Sequence, residues 1–285
     1  MLITIKNRAE NLNVICLLAG TFLIDIGVNF TNSRFEKDVD EVISQANACG
    51  VKHILVTGTN VFESQKALEL CLKYPQYLSC TVGVHPHDAD HAAKNYLEVL
   101  ESLASLPSVK AIGECGLDFN RNFSTPTNQK KIFTEQVKLA QHLQLPLFLH
   151  QRDAFKEWFE ILTPYFTHVP FMVSHCFTGT EEELNLCLEA NMYIGITGWI
   201  CDERRGQGLR DIIEKIPLNR LLIETDAPYL TPRTIRPKPK SSRNEPKYLR
   251  YVVEEIARLT DYSEQDIIKN TSKNAQRVFG LGVKA

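Results

Sequence analysis

Eight short apolar runs recur along the chain, and helical patterns separate them. The runs are FLIDIGV (22–28), HILVTGT (53–59), LSCTVGVHP (78–86), VKAIGECGLD (109–118), LPLFLHQRD (145–153), FMVSHCF (171–177), MYIGITGWI (192–200) and LLIETDAP (221–228). Unbroken apolar runs of this length are the pattern of strands buried on both faces, as in a parallel sheet. Between them lie amphipathic stretches such as KDVDEVISQANACG, which ends at Gly50, and TNQKKIFTEQVKLAQHLQL, which Pro126 precedes. These are the stop and start signals of helices. Strand and helix repeated eight times predict a closed α/β (β/α)8 TIM barrel. An open doubly wound sheet would require a glycine-rich phosphate turn after the first strand, and IDIGVNFTNSRF has none. PKYLRYVVEEIARLT and SEQDIIKNTSKNAQRVF supply the eighth barrel helix and one extra C-terminal helix.

Four runs finish on residue types that bind metal: Glu114 in AIGECGLD, His150 in PLFLHQRD, His175 in FMVSHCF and Asp226 in LLIETDAP. In a (β/α)8 barrel the C-terminal strand ends face a common mouth, so these side chains converge there with Asp25, His85, His87, Asp118, Arg152 and Glu224. Carboxylates and imidazoles on one rim suit a divalent cation, and Asp226 can bind metal or take a proton from water. Glycines on either side of Glu114, at 113 and 116, allow close approach. In GVHPHD, Pro86 splays the two rings, so one of His85 and His87 meets substrate and they do not both bind metal. Arg152, and Arg204 or Arg205, are candidates for holding phosphate.

The 285 residues are 44% hydrophobic and 23% charged with a net charge of −2, which excludes a strongly basic nucleic-acid coat but not local patches. One such patch is the loop TPRTIRPKPKSSRNEP, with Arg233, Arg236, Lys238, Lys240 and Arg243 against Glu245. It follows the eighth strand, on the mouth side, and suits a polyanionic substrate. Trp199, Tyr229 and Phe119 are candidates for base stacking. The eight cysteines contain no C-x-x-C pair and read as reduced thiols of a cytoplasmic protein. No apolar run approaches the roughly 20 residues a spanning helix needs, so no membrane association is expected. The basic residues before NVICLLAGTFLI are interrupted by Glu10, and that run continues directly into Asp25, against a signal peptide. Residues 1–20 are expected to be an extension before a single barrel domain, 21–285.

Together FLIDIGVN, VTGT, GVHPHD, AIGECGLDFNRNFSTP, HQRDA, SHCFTGT, YIGITGWICDERRG, IETDAPYL and SSRNEP resemble the TatD family of metal-dependent deoxyribonucleases, over about residues 22 to 282. The resemblance implies a barrel of the amidohydrolase-like superfamily and a divalent metal, with magnesium expected and manganese or zinc as alternatives. It also implies 3′-to-5′ exonuclease action on single-stranded DNA, extending to RNA, with a role in DNA repair. By position Glu114, His150 and His175 fall on the family's metal ligands, and Asp226 on its catalytic or metal-contacting aspartate. Glu114 and Asp226 are the expected catalytic residues, Asp25 a weak further ligand. His85, Arg152, Arg236, Lys238, Arg243 and Glu245 are the expected substrate contacts, in a protein expected to be monomeric. Most of the wider family begins Asp-x-His-x-His, whereas Gly27 and Asn29 follow Asp25 here. One firm metal and one weak, oxygen-rich position are the consequence. Gln151 stands where relatives often have Cys. A hydrolase of a small amide, lactone or ester, and a nucleic-acid-binding scaffold with a decayed centre, are the competing readings.

Overall fold

The computed structural model describes residues 21–283. The extension expected for residues 1–20 lies outside the described residues. Eight parallel strands follow one another around a barrel in chain order: β1 (Leu23–Val28), β2 (Val51–Val56), β3 (Leu78–Val82), β4 (Val109–Asp118), β5 (Leu147–Arg152), β6 (Met172–Ser174), β7 (Tyr193–Ile196) and β8 (Leu221–Ile223). A parallel bridge between Val28 and Ala227 closes the circle. The helices are α1 (Val39–Ala48), α2 (Val61–Lys73), α3 (Tyr96–Ala104), α4 (Pro126–Leu143), α5 (Phe155–Leu162), α6 (Glu181–Glu189), α7 (Gln207–Ile212), α8 (Leu249–Leu259) and α9 (Glu264–Phe279). The expected barrel with one additional helix is the observed one.

The unbroken hydrophobicity of the strands has a direct cause. Ile24, Ile26, Leu55, Ala111, Phe148, Val173, Tyr193 and Leu222 fill the barrel interior. Neighbouring positions such as Leu23, Val28, Val56, Ile112 and Leu149 pack outward under the helices. Burying one such side chain contributes on the order of 1.5–3 kcal/mol, and both faces of each strand draw on it. Helix α9 seals the bottom of the barrel. Its Ala275, Val278 and Phe279 join the interior cluster, and Asn274 and Ser272 donate to the carbonyls of Leu218, Leu221 and Phe22. Ser263 caps its N-terminus and Gly280, at φ 58°, ends it.

β4 spans its expected run while the ends of β7 and β8 fall short of theirs, and all three matter for the site. β4 does not stop at Glu114 but runs through it to Asp118, because β5 continues to pair with it as far as Arg152. β8 stops earlier, at Ile223, so Glu224, Thr225 and Asp226 lie on the turn above the barrel. β7 ends at Ile196, and the residues after it form a 3-10 turn, Gly198–Cys201, that carries Trp199.

Candidate metal centre

Glu114 is the hub of the mouth. Its Oε1 lies 3.0 Å from His150 Nδ1, 3.3 Å from His85 Nε2 and 3.4 Å from His175 Nε2. All four side chains come from the C-terminal ends of neighbouring strands β3 to β6, as barrel geometry requires. The approach of β4 to β5 that makes this possible needs glycine. Gly116 has φ +150°, and a Cβ there would fall 1.8 Å from the His150 carbonyl oxygen.

Each of the two imidazoles β5 and β6 supply is backed by a second carboxylate. His175 Nδ1 donates to Glu224 Oε2 at 2.6 Å, which turns its Nε2 toward Glu114. Asp118 Oδ2 is 3.6 Å from His150 Nε2, a buried nitrogen that makes no hydrogen bond. The same oxygen is 2.6 Å from His87 Nε2. Carboxylates behind imidazoles orient the rings and raise their basicity. His85 differs. Its Nδ1 accepts the His87 backbone N–H at 3.1 Å, so the neutral ring carries its proton on Nε2 and presents a donor to the mouth. Burial holds its pKa down at about 4, against the pull of Glu114, and so keeps it neutral.

The electrostatics follow from crowding. Burial opposes charge on Glu114, but His85 and His175 hold its pKa well below the usual range. His175 resists burial likewise and is pushed well above an ordinary histidine by Glu224 and Glu114. His150 is raised against its burial through Asp118 and Glu114. Asp118 is lowered against its own burial by His150, His87 and the Arg121 N–H. Asp226 goes the other way: burial lifts it to about 7, with Glu114 and Glu224 adding to the rise and His175 and Asn29 opposing it. It has φ 54° on the turn after β8, and Asn29 Nδ2 donates to its Oδ1 at 3.0 Å.

These donors fit a divalent cation. Two ligand atoms each about 2.1 Å from an ion lie roughly 3.0–3.4 Å apart at octahedral or tetrahedral angles, which is the spacing around Glu114 Oε1. An ion beside Glu114 would meet His150 at Nδ1 and displace the protons that His150 and His175 otherwise retain. His85, Glu114 and His150 have ligand atoms within 4.8 Å of one another. Because His85 is set as a donor, Glu114, His150 and His175 form the better ligand set. The mouth is a cavity of about 540 Å³ that also exposes Asn29, Arg152, Trp199, Asp226 and Tyr229.

Asp25 does not join this group. Its Oδ2 accepts the Thr225 hydroxyl at 2.6 Å, and its Oδ1 accepts the N–H groups of Thr225 at 2.9 Å and Gly27 at 3.4 Å. Burial raises its pKa to about 8. It ties β1 to the turn that carries Asp226. Arg236 Nη1 donates to the carbonyls of Arg233 and Ile235. Arg236 and Lys238 line a separate groove beside the mouth. Arg243 is held between Asp38, at 2.8 Å, and Glu245, at 2.9 Å, and Glu245 also binds Lys247. Arg243 and Glu245 line neither cavity and anchor the loop to the segment before α1.

In the sequence Glu224 and Asp118 fall at the mouth without a task. Their tasks depend on partners far away in the chain. The absent first-strand histidines also acquire a reason. A Cβ at Gly27 would meet Glu224 Oε2 at 2.4 Å, and one at Gly195 would meet Oε1 at 2.5 Å. The Glu224 carboxylate fills the space between these glycines, and Cys176 N–H donates to it at 2.6 Å. Glu224→Gln can satisfy only part of this set, so manganese affinity is expected to fall about 10- to 100-fold, the usual scale for a partner behind a ligand. Calorimetric titration checks it; an affinity within about twofold of wild type would rule out the orienting role.

The family profile described as TatD-related DNase matches residues 24–280. A 3′-5′ ssDNA/RNA exonuclease TatD from Citrobacter rodentium is 51% identical over 263 residues, 92% of this chain and 100% of that protein. The counterpart from Pectobacterium carotovorum is 50% identical, over 91% of this chain and 100% of its own length. Among solved structures, a hydrolase of the TatD family from Entamoeba histolytica superposes with a TM-score of 0.83 at 27% identity, covering 91% of this chain and 98% of that one. The TatD homologue YJJV from Escherichia coli gives 0.82 at 27% identity, covering 90% and 98%.

Proposed function

The chain belongs to the TatD-related DNase family, and we propose that it is a metal-dependent 3′-to-5′ exonuclease acting on single-stranded DNA and RNA. The observation that carries the chemistry is the convergence of three imidazoles on one buried carboxylate oxygen within 3.0–3.4 Å. The activity of relatives about half identical over their full length supports the substrate class.

In this reading Glu114, His150 and His175 hold a divalent ion, with Glu224 and Asp118 fixing the rings. When bound, such an ion polarises a phosphoryl oxygen and lowers the pKa of water beside it. His85 donates Nε2–H to a non-bridging oxygen of the scissile phosphate. Arg152, whose guanidinium stands 5.4 Å over the Trp199 ring, steadies the same group. Asp226 takes the proton from the attacking water. A base with a pKa near the working pH combines a useful deprotonated fraction with a useful driving force, and burial gives Asp226 that value. Asn29 keeps its carboxylate aimed.

The donor set bears on the metal. Two imidazoles with one carboxylate favour manganese or zinc at the tight position. Magnesium would take a weaker, oxygen-rich position beside Glu114, leaving Asp226 free to act as base. Purified protein is therefore expected to carry about one tightly held ion per chain, and activity to rise further with millimolar magnesium or manganese. Two zinc ions per chain surviving extensive dialysis would contradict this. Protons held on His150 and His175 must leave when the ion enters, so affinity is expected to rise with pH. A cytoplasmic monomer is part of the same proposal; the seven described cysteines are all free thiols, and mass measurement in solution tests the oligomeric state. A role in DNA repair is a further part, tested by the sensitivity of a deletion strain to DNA damage.

End-labelled oligonucleotides test the activity. A 5′-label should give a ladder of shortening products with metal and none with EDTA, whereas a 3′-label should be released at once as mononucleotide. Internal cuts without a ladder would refute exonuclease action.

A further inference from the structure

Resting on the nuclease reading, we propose that the strand leaves the catalytic mouth past Trp199 and runs along the groove between the β7 and β8 loops, where basic side chains hold its next phosphates. Two grooves adjoin the mouth. One, about 760 Å³, opens past Tyr229 toward α1 and α2; the other, about 620 Å³, opens past Trp199 and Leu230. Their sizes do not separate them, but their charges do. The first is lined by Glu36, Glu63 and Glu69 against Lys66 and Lys73, and Asp40 already engages Lys73. The second is lined by Arg204, Arg205, Arg233, Arg236 and Lys238 against Asp202. A polyanion is repelled by the first and drawn into the second.

The second groove is also built. Asp202 is 3% exposed and gathers three guanidiniums: Arg205 Nε at 2.9 Å, Arg204 Nε at 3.3 Å and Arg233 Nε at 3.7 Å. Glu203 also meets Arg233, at 3.5 Å, so two carboxylates offset two of the three charges while Asp202 orients all three, and each guanidinium keeps N–H groups free for phosphate. Arg205 lies 4.5 Å over the Trp199 ring and lines both the groove and the mouth. Trp199 therefore couples Arg152 at the mouth to Arg205 at the groove entrance. A strand whose terminal phosphodiester occupies the mouth places its following phosphates among these cations, so affinity grows with length over the first few nucleotides.

The test compares hydrolysis of oligothymidylates of two and eight residues, with KM for each. The wild-type chain should show a KM at least about tenfold lower for the octamer. In the Arg204→Ser, Arg233→Ser, Lys238→Ser protein the ratio of the two KM values should collapse toward one. The Lys66→Ser, Lys73→Ser protein should keep the wild-type ratio. A second arm measures anisotropy of labelled octamer in EDTA, where hydrolysis plays no part. There the triple variant should bind weakly, with a salt slope smaller by about 0.7 for each phosphate no longer neutralised. Lys238→Ser alone, with an unchanged melting temperature, guards against a folding defect. A length-independent wild-type KM, or loss of octamer binding in the Lys66 and Lys73 variant instead, overturns the proposed path. Octamer binding that depends on the groove without hydrolysis of any oligonucleotide would keep the path and overturn the nuclease reading.

Discussion

Glu114→Gln is expected to lower hydrolysis by at least about 10³-fold, the scale seen when one member of a catalytic unit is removed, and to abolish tight metal binding. The amide keeps the volume and the place in β4 but can no longer face three imidazole nitrogens as an anion. The fold should survive, because the strand pairs with β3 and β5 on either side of residue 114. Stability of the metal-free protein should change in a definite direction. Glu114 is held well below its unfolded value of 4.5, so its contribution is present above that pH and lost as pH falls through the folded value. His175 is held well above its unfolded value of 6.5, so its contribution is complete below that pH and lost as pH rises through the folded value. The variant should thus lose most between these limits, in mild acid, and least at the extremes. Melting curves across pH, beside initial rates at saturating metal, check both parts; near wild-type activity at any metal concentration would refute the assignment of Glu114.

Asp226→Asn should show the opposite pairing of effects. Removing a general base costs about 10²–10⁴ in rate, and the loss should fall on kcat more than on KM. The rise of wild-type activity with pH through about 7, where Asp226 gives up its proton, should disappear from the residual activity of the variant. Stability should increase. A carboxylate raised from 3.8 to about 7 destabilises the native state as pH climbs through that interval, by on the order of 2–4 kcal/mol at most. The neutral amide avoids this and still accepts the Asn29 N–H. A metal-free variant that melts higher than wild type at pH 8 while losing activity is the expected result. A variant that melts lower, with unchanged pH dependence, would mean that Asp226 supports the fold and not the reaction.

Much of the fold was legible because every strand is buried on both faces, which leaves an unmistakable apolar run, and because β1 to β8 pair in chain order. Boundaries were less legible. Glu114 continues β4 because β5 still pairs there, a fact that resides in β5. The metal-binding residue types could be read from the strand ends, but their division of labour could not. His85 and His175 look alike in sequence; a backbone N–H from His87 makes one a donor, and Glu224 fixes Nδ1 of the other so that its Nε2 faces Glu114. Asp25 resembles a ligand until Thr225, two hundred positions on, takes both its oxygens. The basic loop reads as one patch, yet Arg243 is neutralised by Asp38 and Glu245 while Lys238 remains on the groove. A cation matched by carboxylates of its own, as Arg243 is, contributes little to recognition, and pairing across the fold leaves no mark in a local run of residues.

If hydrolysis requires an ion bound at Glu114, His150 and His175, the ion must be found there and its removal must stop the reaction. Anomalous diffraction from crystals of the protein grown with manganese decides this, with rates measured from the same preparation before and after EDTA. The expected result is a manganese peak about 2.0–2.3 Å from Glu114 and from a ring nitrogen of each histidine, together with activity that EDTA removes and manganese restores. A peak only elsewhere, such as beside Asp25 or Asp202, or full activity with the Glu114 position empty, would contradict it.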